Sequence, residues 1–294
     1  MSEQSPRVSV LLVTANRSEW LEPVLRSLQA QTLTDWELIA VDCDSTDDTL
    51  ERLSSWAQSS ERVRVLSVEA TDRAVGRRQA LQKVRGDYVA WADPQTGWPN
   101  DFLENLLACS REAGESRSVI YAPTQILDGE GGTVRTLPGT LQHATMVRNL
   151  FEEPRFPLSA LLIPRRVMRS LEKTGMRFVL SNDHALLLWL AHQAAFEPAA
   201  GSLDPVCVYP AEGTLPMSLD PVAESRGEAM TYALENFRGA VPARFARRCL
   251  ATFHCRRSRA SEDSGEALAS ASRALMYRPL WPRAWKQLLS VVLR

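Results

Sequence analysis

The alternation of apolar and polar segments near the start of the chain constrains its fold more than any other feature. One apolar run covers residues 8–13 and a second covers 36–41, and a segment of helical length with apolar residues at helical spacing separates them. Short β-branched runs that alternate with helical segments are typical of βαβ units, whose strands are parallel. The chain is therefore predicted to be an α/β protein with a mostly parallel sheet.

Polar residues follow each of these two predicted strands directly. Thr14 and Asn16 stand at the end of the first, and Asp42 stands at the end of the second. Open parallel sheets bind their ligands beyond the carboxyl ends of the strands. A ligand site that includes Thr14, Asn16 and Asp42 is therefore expected at this edge.

Composition narrows the class of protein. The chain has 294 residues, 45% hydrophobic and 23% charged, which suits one large globular domain or a domain with an appendage. Its formal net charge of -1 gives no indication of nucleic-acid binding. No apolar run reaches the ~18 residues of a membrane span, and the N-terminus lacks the apolar core of a signal peptide. Five cysteines without a Cys-x-x-Cys pair indicate neither zinc nor disulfides, so we expect a cytoplasmic protein.

Residues 8–49 resemble the start of a family 2 glycosyltransferase of the GT-A fold. Such chains have a strand ending in Pro-Thr-Tyr-Asn, a helix ending near Gln-Thr, and a strand that enters Val-Asp-Asp-Gly-Ser-Thr-Asp. This chain departs from that pattern at Val13, Ala15, Cys43 and Asp44. The resemblance implies an α/β/α sandwich in which Asp42 hydrogen-bonds a nucleobase, while Thr14 and Asn16 line the nucleotide pocket.

Two later segments extend the resemblance on the donor side. Residues 74–81, AVGRRQAL, resemble a helical motif whose arginine approaches the nucleotide phosphates, and Arg77 matches that arginine. A solvated helix face is the alternative interpretation. Residues 86–98, GDYVAWADPQTGW, resemble the segment whose Asp-x-Asp motif holds Mn²⁺ or Mg²⁺ against the diphosphate. Here the motif is Asp93-Pro94-Gln95, so one carboxylate is replaced by an amide. Weak metal binding, metal-independent action and loss of catalysis all remain open, as does a plain helix cap at Asp93.

On the acceptor side, residues 181–193, SNDHALLLWLAHQ, resemble a helix that begins with the catalytic base of the family. The resemblance implies that Asp183 deprotonates the acceptor hydroxyl. The alternative is that residues 181–183 only cap a buried helix, and both interpretations can hold together. His184 and His192 are predicted to lie on the helix surface, because no cluster of further metal ligands accompanies them.

The chain is predicted to be mostly helical from Glu228. An apolar stripe at helical spacing is flanked by arginines, and a second apolar face near the end has basic neighbours. Each face could pack on the catalytic domain or lie on anionic lipid headgroups. The stripe comprises Val241, Phe245, Cys249 and Phe253, and the second face comprises Trp281, Trp285, Leu288 and Val292.

Together these features predict a GT-A domain over residues 1–224, with a donor half at 7–127 and an acceptor half at 128–210, and a helical region at 225–294. The resemblance implies transfer of a sugar, with inversion, from a nucleotide-diphosphate donor to a glycan, lipid-linked or protein acceptor. We expect a role in surface polysaccharide synthesis, at the cytoplasmic face of a membrane where the helices make contact. The alternative is a non-catalytic module that binds a nucleotide sugar or scaffolds a partner, which Gln95 favours.

Overall fold

The computed structural model describes residues 5–112, 118–128, 130–137, 146–153, 155–174, 176–199, 203–209, 223–237, 239 and 241–293. Its strands are β1 Val8–Thr14, β2 Trp36–Cys43, β3 Val63–Val68, β4 Tyr88–Ala92, β5 Thr96–Gly97, β6 Val119–Tyr121, β7 Thr124–Leu127, β8 Thr133–Leu137, β9 Leu161–Pro164, β10 Phe196–Pro198 and β11 Val206–Val208. Its helices are α1 Ser18–Gln29, α2 Thr49–Ser59, α3 Arg73–Gln82, α4 Phe102–Glu112, α5 Met146–Glu152, α6 Arg165–Thr174, α7 Arg177–Ser181, α8 Asp183–Gln193, α9 Glu224–Asn236, α10 Ala243–Ala260, α11 Ser264–Tyr277 and α12 Pro282–Val292.

A seven-stranded sheet forms the centre of the molecule, in the order β10-β6-β9-β4-β1-β2-β3. Strands β1 to β4 are parallel to one another, and β9 is antiparallel to both of its neighbours. The predicted α/β class with a mostly parallel sheet is confirmed. Both predicted initial strands are buried along their whole length, which explains why they read as continuous apolar runs.

Residues 118–127 have the pattern of a single strand but form two strands in different sheets. Strand β6 pairs with β9 and β10 in the main sheet, whereas β7 pairs with β8 and β11 in a smaller four-stranded sheet of order β5-β11-β7-β8. Pro123 separates them, and a proline has no N–H group with which to continue a ladder. Its carbonyl accepts from the N–H of Val206 at 2.9 Å, which connects the two sheets.

The helical region shares the hydrophobic core of the α/β part of the chain. Helix α9 begins at Glu224, four residues before the predicted start, and its buried side chains join the main hydrophobic cluster. The stripe on α10 packs inward, with Phe253 2% exposed and Cys249 8% exposed, which confirms the packing interpretation for this stripe. Of the helices that the structure describes, none combines the length and the apolar character needed to cross a membrane.

The helix that carries Arg77 lies unusually close to the sheet. Gly76 faces the ends of β1 and β2, and a Cβ atom at that position would lie 2.5 Å from Cys43 Sγ and 2.7 Å from Val13 Cγ1. Real Cβ atoms do not approach other atoms so closely, so any side chain at position 76 would push α3 away from the sheet. The glycine therefore sets the position of the arginines on α3.

Gly76→Ala should destabilise the protein by about 1–3 kcal/mol, because the added methyl group overpacks the α3–sheet contact. An exposed helical glycine would instead gain about 0.5–1 kcal/mol from the same change. Urea unfolding of Gly76→Ala, Cys43→Ala and the double variant measures the effect. Removing the sulfur should make the double variant more stable than the sum of the single changes. A stabilised Gly76→Ala protein would contradict the close approach.

Candidate active site

Hydrogen bonds join the ends of β1 and β2 into one loop cluster. Thr14 pairs with Asp42 in the parallel register, and Asn16 and Asp44 follow in left-handed backbone conformations, with φ of 51° and 58°. Short polar side chains tolerate this region because they bond locally. The Asn16 N–H donates to Ser45 Oγ at 2.9 Å, so the structure brings Thr14, Asn16 and Asp42 together at the predicted edge.

The Asn16 side chain has a different role from a helix cap. Its Oδ1 atom accepts from the N–H of Thr46 at 2.8 Å, while α1 begins at Ser18 without a side-chain cap. Asn16 and Glu19 have the sequence spacing of a capping box, but the box does not form, because the Asn16 side chain bonds the loop after β2 instead. Asp42 is 1% exposed and accepts from Ser45 through both carboxylate oxygens. Its contact with a nucleobase stays a prediction.

A buried ion pair joins α3 to the start of α8. The Nη2 atom of Arg77 donates a short hydrogen bond to Asp183 Oδ1, and its Nη1 atom donates to the carbonyl of Leu180 at 2.9 Å. The guanidinium also lies 5.2 Å from the ring centroid of Trp91 on β4, a cation–π distance. Arg77 is 3% exposed, so the solvated-helix interpretation of this residue is wrong.

Asp183 and its neighbours form a cluster of alternating charge. The Nη1 atom of Arg73 lies 3.8 Å from Asp183 Oδ1, and the Arg73 side chain is 39% exposed. Burial raises the pKa of Asp183, but the guanidinium groups of Arg77 and Arg73 outweigh it and hold that pKa below its usual value. Burial also raises the pKa of Asp93, where the same two arginines oppose the shift without reversing it. Asp183 is therefore ionised at neutral pH.

Asp93 lies where the sequence predicted it, directly after β4. Its Oδ1 atom accepts from the N–H of Gln95 at 2.8 Å, which holds the turn that leads into β5. The closest contacts of both guanidinium groups with Asp183 go to Oδ1, so Oδ2 is the carboxylate oxygen that lies farther from them. Asp93, Arg73, Arg77 and Asp183 thus form one electrostatic cluster at the carboxyl ends of the central strands.

The residues available for a divalent metal ion are one carboxylate and one amide. Across the described ranges, no three carboxylate, histidine or cysteine side chains gather as a metal site would require. Magnesium and manganese bound to a substrate diphosphate need only one or two protein oxygens, because phosphates and water complete their shell. Asp93 and Gln95 fit such a phosphate-borne ion, and they do not form a site that could hold the metal alone.

The start of α8 confirms part of the capping interpretation. Asn182 is the N-cap, and its Oδ1 atom accepts from the N–H of Ala185 at 3.0 Å, which leaves Asp183 for the pair with Arg77. The predicted surface position of His184 is wrong, since it is 1% exposed. Helix α8 is buried on nearly every side and offers no surface there. Burial lowers the pKa of His184 to about 3, so this imidazole is neutral.

Sequence reasoning missed Arg73. It stands four residues before Arg77 on α3, so the two side chains share a helix face. That spacing was visible in the sequence, but the sequence did not show that this face of α3 is the one that approaches Asp183. A second contact across the same gap was also missed: Arg177 Nε donates to Asp72 Oδ2 at 2.8 Å. Asp72 at the same time caps α3 by accepting from the N–H of Ala74.

Comparisons with known proteins bear on this site. Residues 9–154 match the family model described as glycosyl transferase family 2, which confirms the predicted resemblance. The putative teichuronic acid biosynthesis glycosyltransferase TuaG of Bacillus subtilis is 35% identical over 108 residues. The aligned stretch is 36% of this chain and 43% of TuaG, so the chain spans less than half the length of this curated relative.

Solved structures of the GT-A type share the fold. TarS 1-349 of S. aureus in complex with UDP-GlcNAc superposes with a TM-score of 0.62 at 16% identity, over 97% of this chain and 89% of that one. The mannosyltransferase PcManGT from Pyrobaculum calidifontis, in complex with GDP-Man and Mn²⁺, gives a TM-score of 0.51 at 16% identity, over 99% and 87% of the two chains. Both similarities extend through the helical region, whereas the family model ends at residue 154.

Arg77→Ala should lower the free energy of unfolding by about 3–5 kcal/mol, because it leaves the buried Asp183 carboxylate without its closest partner. Arg78→Ala is the matched control: Arg78 is the next residue of the same helix but is exposed, so its loss should cost about 0.5 kcal/mol or less. Urea unfolding of both variants measures the difference. Equal effects of the two changes would contradict the buried ion pair.

Proposed function

Residues 9–154 belong to glycosyl transferase family 2, and we propose that this chain transfers a sugar, with inversion, from a nucleotide-diphosphate donor to a hydroxyl acceptor. The observation that carries the proposal is the cluster of Asp93, Arg73, Arg77 and Asp183 at the carboxyl ends of the sheet. It places an ionised carboxylate beside guanidinium groups, so one site can both accept a proton and receive an anionic diphosphate.

The donor nucleotide would lie over the ends of β1 and β2. Thr14 and Asn16 would line the nucleotide pocket, and Asp42 would hydrogen-bond the base. A structural neighbour, TarS, is solved with UDP-GlcNAc, which supports a donor of the nucleotide-diphosphate class. The electrostatic neighbours of the Cys43 thiol include Asp42, Arg73 and Arg77, so the base pocket and the charged cluster adjoin at this residue.

Arg73 and Arg77 would have different roles. The predicted phosphate contact of Arg77 would require its buried guanidinium to leave Asp183 and Leu180. We therefore assign the diphosphate to Arg73, whose half-exposed side chain is accessible, and the orientation of Asp183 to Arg77. Asp93 with Gln95 would hold a divalent ion on the diphosphate. Such an ion, when bound, adds positive charge that stabilises the leaving group.

Asp183 would act as the base. As the acceptor oxygen forms its bond to the anomeric carbon, the bond from that carbon to the diphosphate oxygen breaks, and the acceptor proton passes to Asp183 Oδ2. Positioned bases of this kind contribute about 10²–10⁴ in rate. Attack opposite the leaving group inverts the configuration, so base and diphosphate must flank the sugar on two sides.

The relatives support a broad class of acceptor. TuaG is named for teichuronic acid biosynthesis, which supports a glycan acceptor in the synthesis of a surface polysaccharide. The alternative, a non-catalytic module that binds a nucleotide sugar, rests on the amide at Gln95. The ionised Asp183 favours the enzyme, since a module that only binds a donor does not need a buried charged base.

Asp183→Asn should reduce sugar transfer by about 10²–10⁴ while donor binding stays unchanged. The amide oxygen can still accept from Arg77, which offsets part of the cost of leaving that guanidinium without a carboxylate, so the variant should fold with reduced stability, and urea unfolding measures the loss. Transfer from nucleotide sugars to water and to glycan acceptors, together with calorimetric titration of the donor nucleotide, measures both quantities. Asp87→Asn is the control, because Asp87 is largely exposed and pairs only with Arg7 among the described ion pairs.

Transfer by Asp183→Asn within a few-fold of the unaltered protein would exclude Asp183 as the base. An unaltered protein that binds a nucleotide sugar yet transfers it to no acceptor would instead support the non-catalytic module.

Gln95→Asp should strengthen the metal dependence of nucleotide binding by about tenfold, because a second carboxylate adds charge at the diphosphate-borne ion. Calorimetric titration with UDP, GDP, CDP and dTDP, each with and without Mn²⁺, provides the comparison. Gln95→Asn keeps the amide but shortens the side chain to the length of aspartate, and it should show no such gain. If both variants respond equally to Mn²⁺, the residue at position 95 does not contact the metal.

A further inference from the structure

Exposed apolar side chains are concentrated in the last helices of the chain. Seven of the nine large apolar residues that are exposed in the described structure lie between residues 268 and 293. They are Leu268 at 41%, Met276 at 81%, Leu280 at 92%, Trp285 at 50%, Leu289 at 55%, Val292 at 63% and Leu293 at 82% exposed. Scattered single residues of this kind are ordinary, but a cluster of them marks an interaction surface.

Helix α12 has two apolar faces, of which only one is covered. Ala284 and Val291 are buried, and Gln287 between them accepts from Arg259 Nε at 3.0 Å and donates to Ser258 Oγ at 3.2 Å. This inner face holds α12 on α10. The predicted face is therefore rotated, because Trp281 and Leu288 are half-buried while Trp285 is exposed together with Leu289 and Val292.

The outer face continues into the turn between α11 and α12. Trp285 Nε1 donates to the carbonyl of Pro279 at 2.7 Å, which ties the tryptophan to the turn that carries Leu280. Met276 stands just before that turn, near the end of α11. We call the exposed residues Met276, Leu280, Trp285, Leu289, Val292 and Leu293 the outer patch.

The segment that carries the outer patch has charges of a single sign. Residues 267–294 contain five basic residues and no acidic residue, and one of the five, Arg273, lies 4.0 Å from Glu224 outside the segment. Arg283 and Lys286 are exposed on α12 on either side of Trp285 in the sequence. Two arginines of α10 differ, because Arg248 and Arg256 lie within ion-pair distance of Glu152 and Glu153. The unbalanced positive charge thus belongs to the same short segment as the outer patch.

We propose that the outer patch docks this protein onto a bilayer surface that contains anionic lipid. The apolar side chains would enter the headgroup region, and Arg278, Arg283 and Lys286 would contact lipid phosphates. Trp285 is suited to this interface because its large apolar ring is exposed while its N–H already has a partner in the Pro279 carbonyl. The proposal goes beyond sugar transfer, since the outer patch uses none of the residues assigned to the donor, the metal or the base.

Charge argues for lipid over a second copy of this chain. Two outer patches brought face to face would place their basic residues against one another with no acidic residue in the segment to balance them. An anionic bilayer supplies the missing negative charge, and each basic residue near such a surface strengthens binding about fivefold. The outer patch is therefore complementary to a lipid surface and not to itself.

Co-sedimentation of the full chain with lipid vesicles tests the proposal. Vesicles of phosphatidylcholine alone are compared with vesicles that also contain phosphatidylglycerol. The full chain should bind the anionic vesicles at low salt, lose binding at high salt, and bind phosphatidylcholine weakly. Binding to neither kind of vesicle, or equal binding to both, would overturn the proposal.

Matched variants separate the apolar and charged contributions. Leu289→Glu/Val292→Glu should weaken binding to anionic vesicles by about tenfold or more, whereas Val134→Glu, at an exposed valine of β8, should leave it unchanged. Arg283→Gln/Lys286→Gln should weaken binding about 25-fold, and Arg78→Gln/Arg111→Gln, which removes two exposed basic residues elsewhere, should not.

Thermal unfolding checks that these exposed substitutions keep the fold. Light scattering without vesicles measures whether the protein dimerises. A concentration-dependent dimer that Leu289→Glu/Val292→Glu abolishes would assign the outer patch to a second copy of the chain and overturn the lipid proposal. Because none of these measurements uses sugar transfer, their failure is distinguishable from a failure of the proposed enzyme activity.

Discussion

The ion pair between Arg77 and Asp183 is the interaction on which the arrangement of the molecule depends. Its partners are 106 positions apart in sequence and come from helices α3 and α8. Removing either charge would leave the other buried, which proteins tolerate poorly, so α3 and α8 must meet at this point. The close approach at Gly76 fixes one side of the contact, and the cap at Asn182 fixes the other. The pair therefore couples the packing of the helices to the geometry of the site.

The same pair explains how two nearby carboxyl groups can have different roles. Asp93 and Asp183 influence each other electrostatically, and burial raises the pKa of both. Arg77 bonds only one of them directly, so the pKa of Asp183 falls while that of Asp93 rises. Environments that push two carboxyl pKa values apart are typical of sites that assign them separate tasks. An ionised Asp183 suits the proposed base, and Asp93 would be the better ligand for the proposed divalent ion once the positive charge of that ion lowers its pKa.

The helical region connects this site to the outer surface of the molecule. Helices α9 and α10 contribute side chains to the main core, and α11 and α12 pack on α10 around a small cluster of their own. Phe178, three residues before the end of α7, stacks on Tyr232 of α9 with ring centroids 4.6 Å apart. A lipid surface bound to the outer patch would therefore be connected to Asp183 through helices that pack on one another.

The resemblance to family 2 glycosyltransferases indicated Asp183, whereas sequence by itself determined the parallel sheet and the polar residues Thr14, Asp42 and Asp93 at the ends of its strands. These features depend on local periodicity and on the rule that parallel strands end at one edge, so they can be read without knowing the packing. Tertiary structure alone decided that Arg77 pairs with Asp183, that Arg73 joins it, that His184 is buried, and that Asn16 bonds the second loop. Each of these outcomes depends on which face of an element meets another element distant in the chain, and a single sequence does not specify that choice. Tertiary structure also decided which side of α12 is exposed. Both faces of this helix are apolar, and only the hydrogen bonds of Gln287 with α10 show which face is left to solvent.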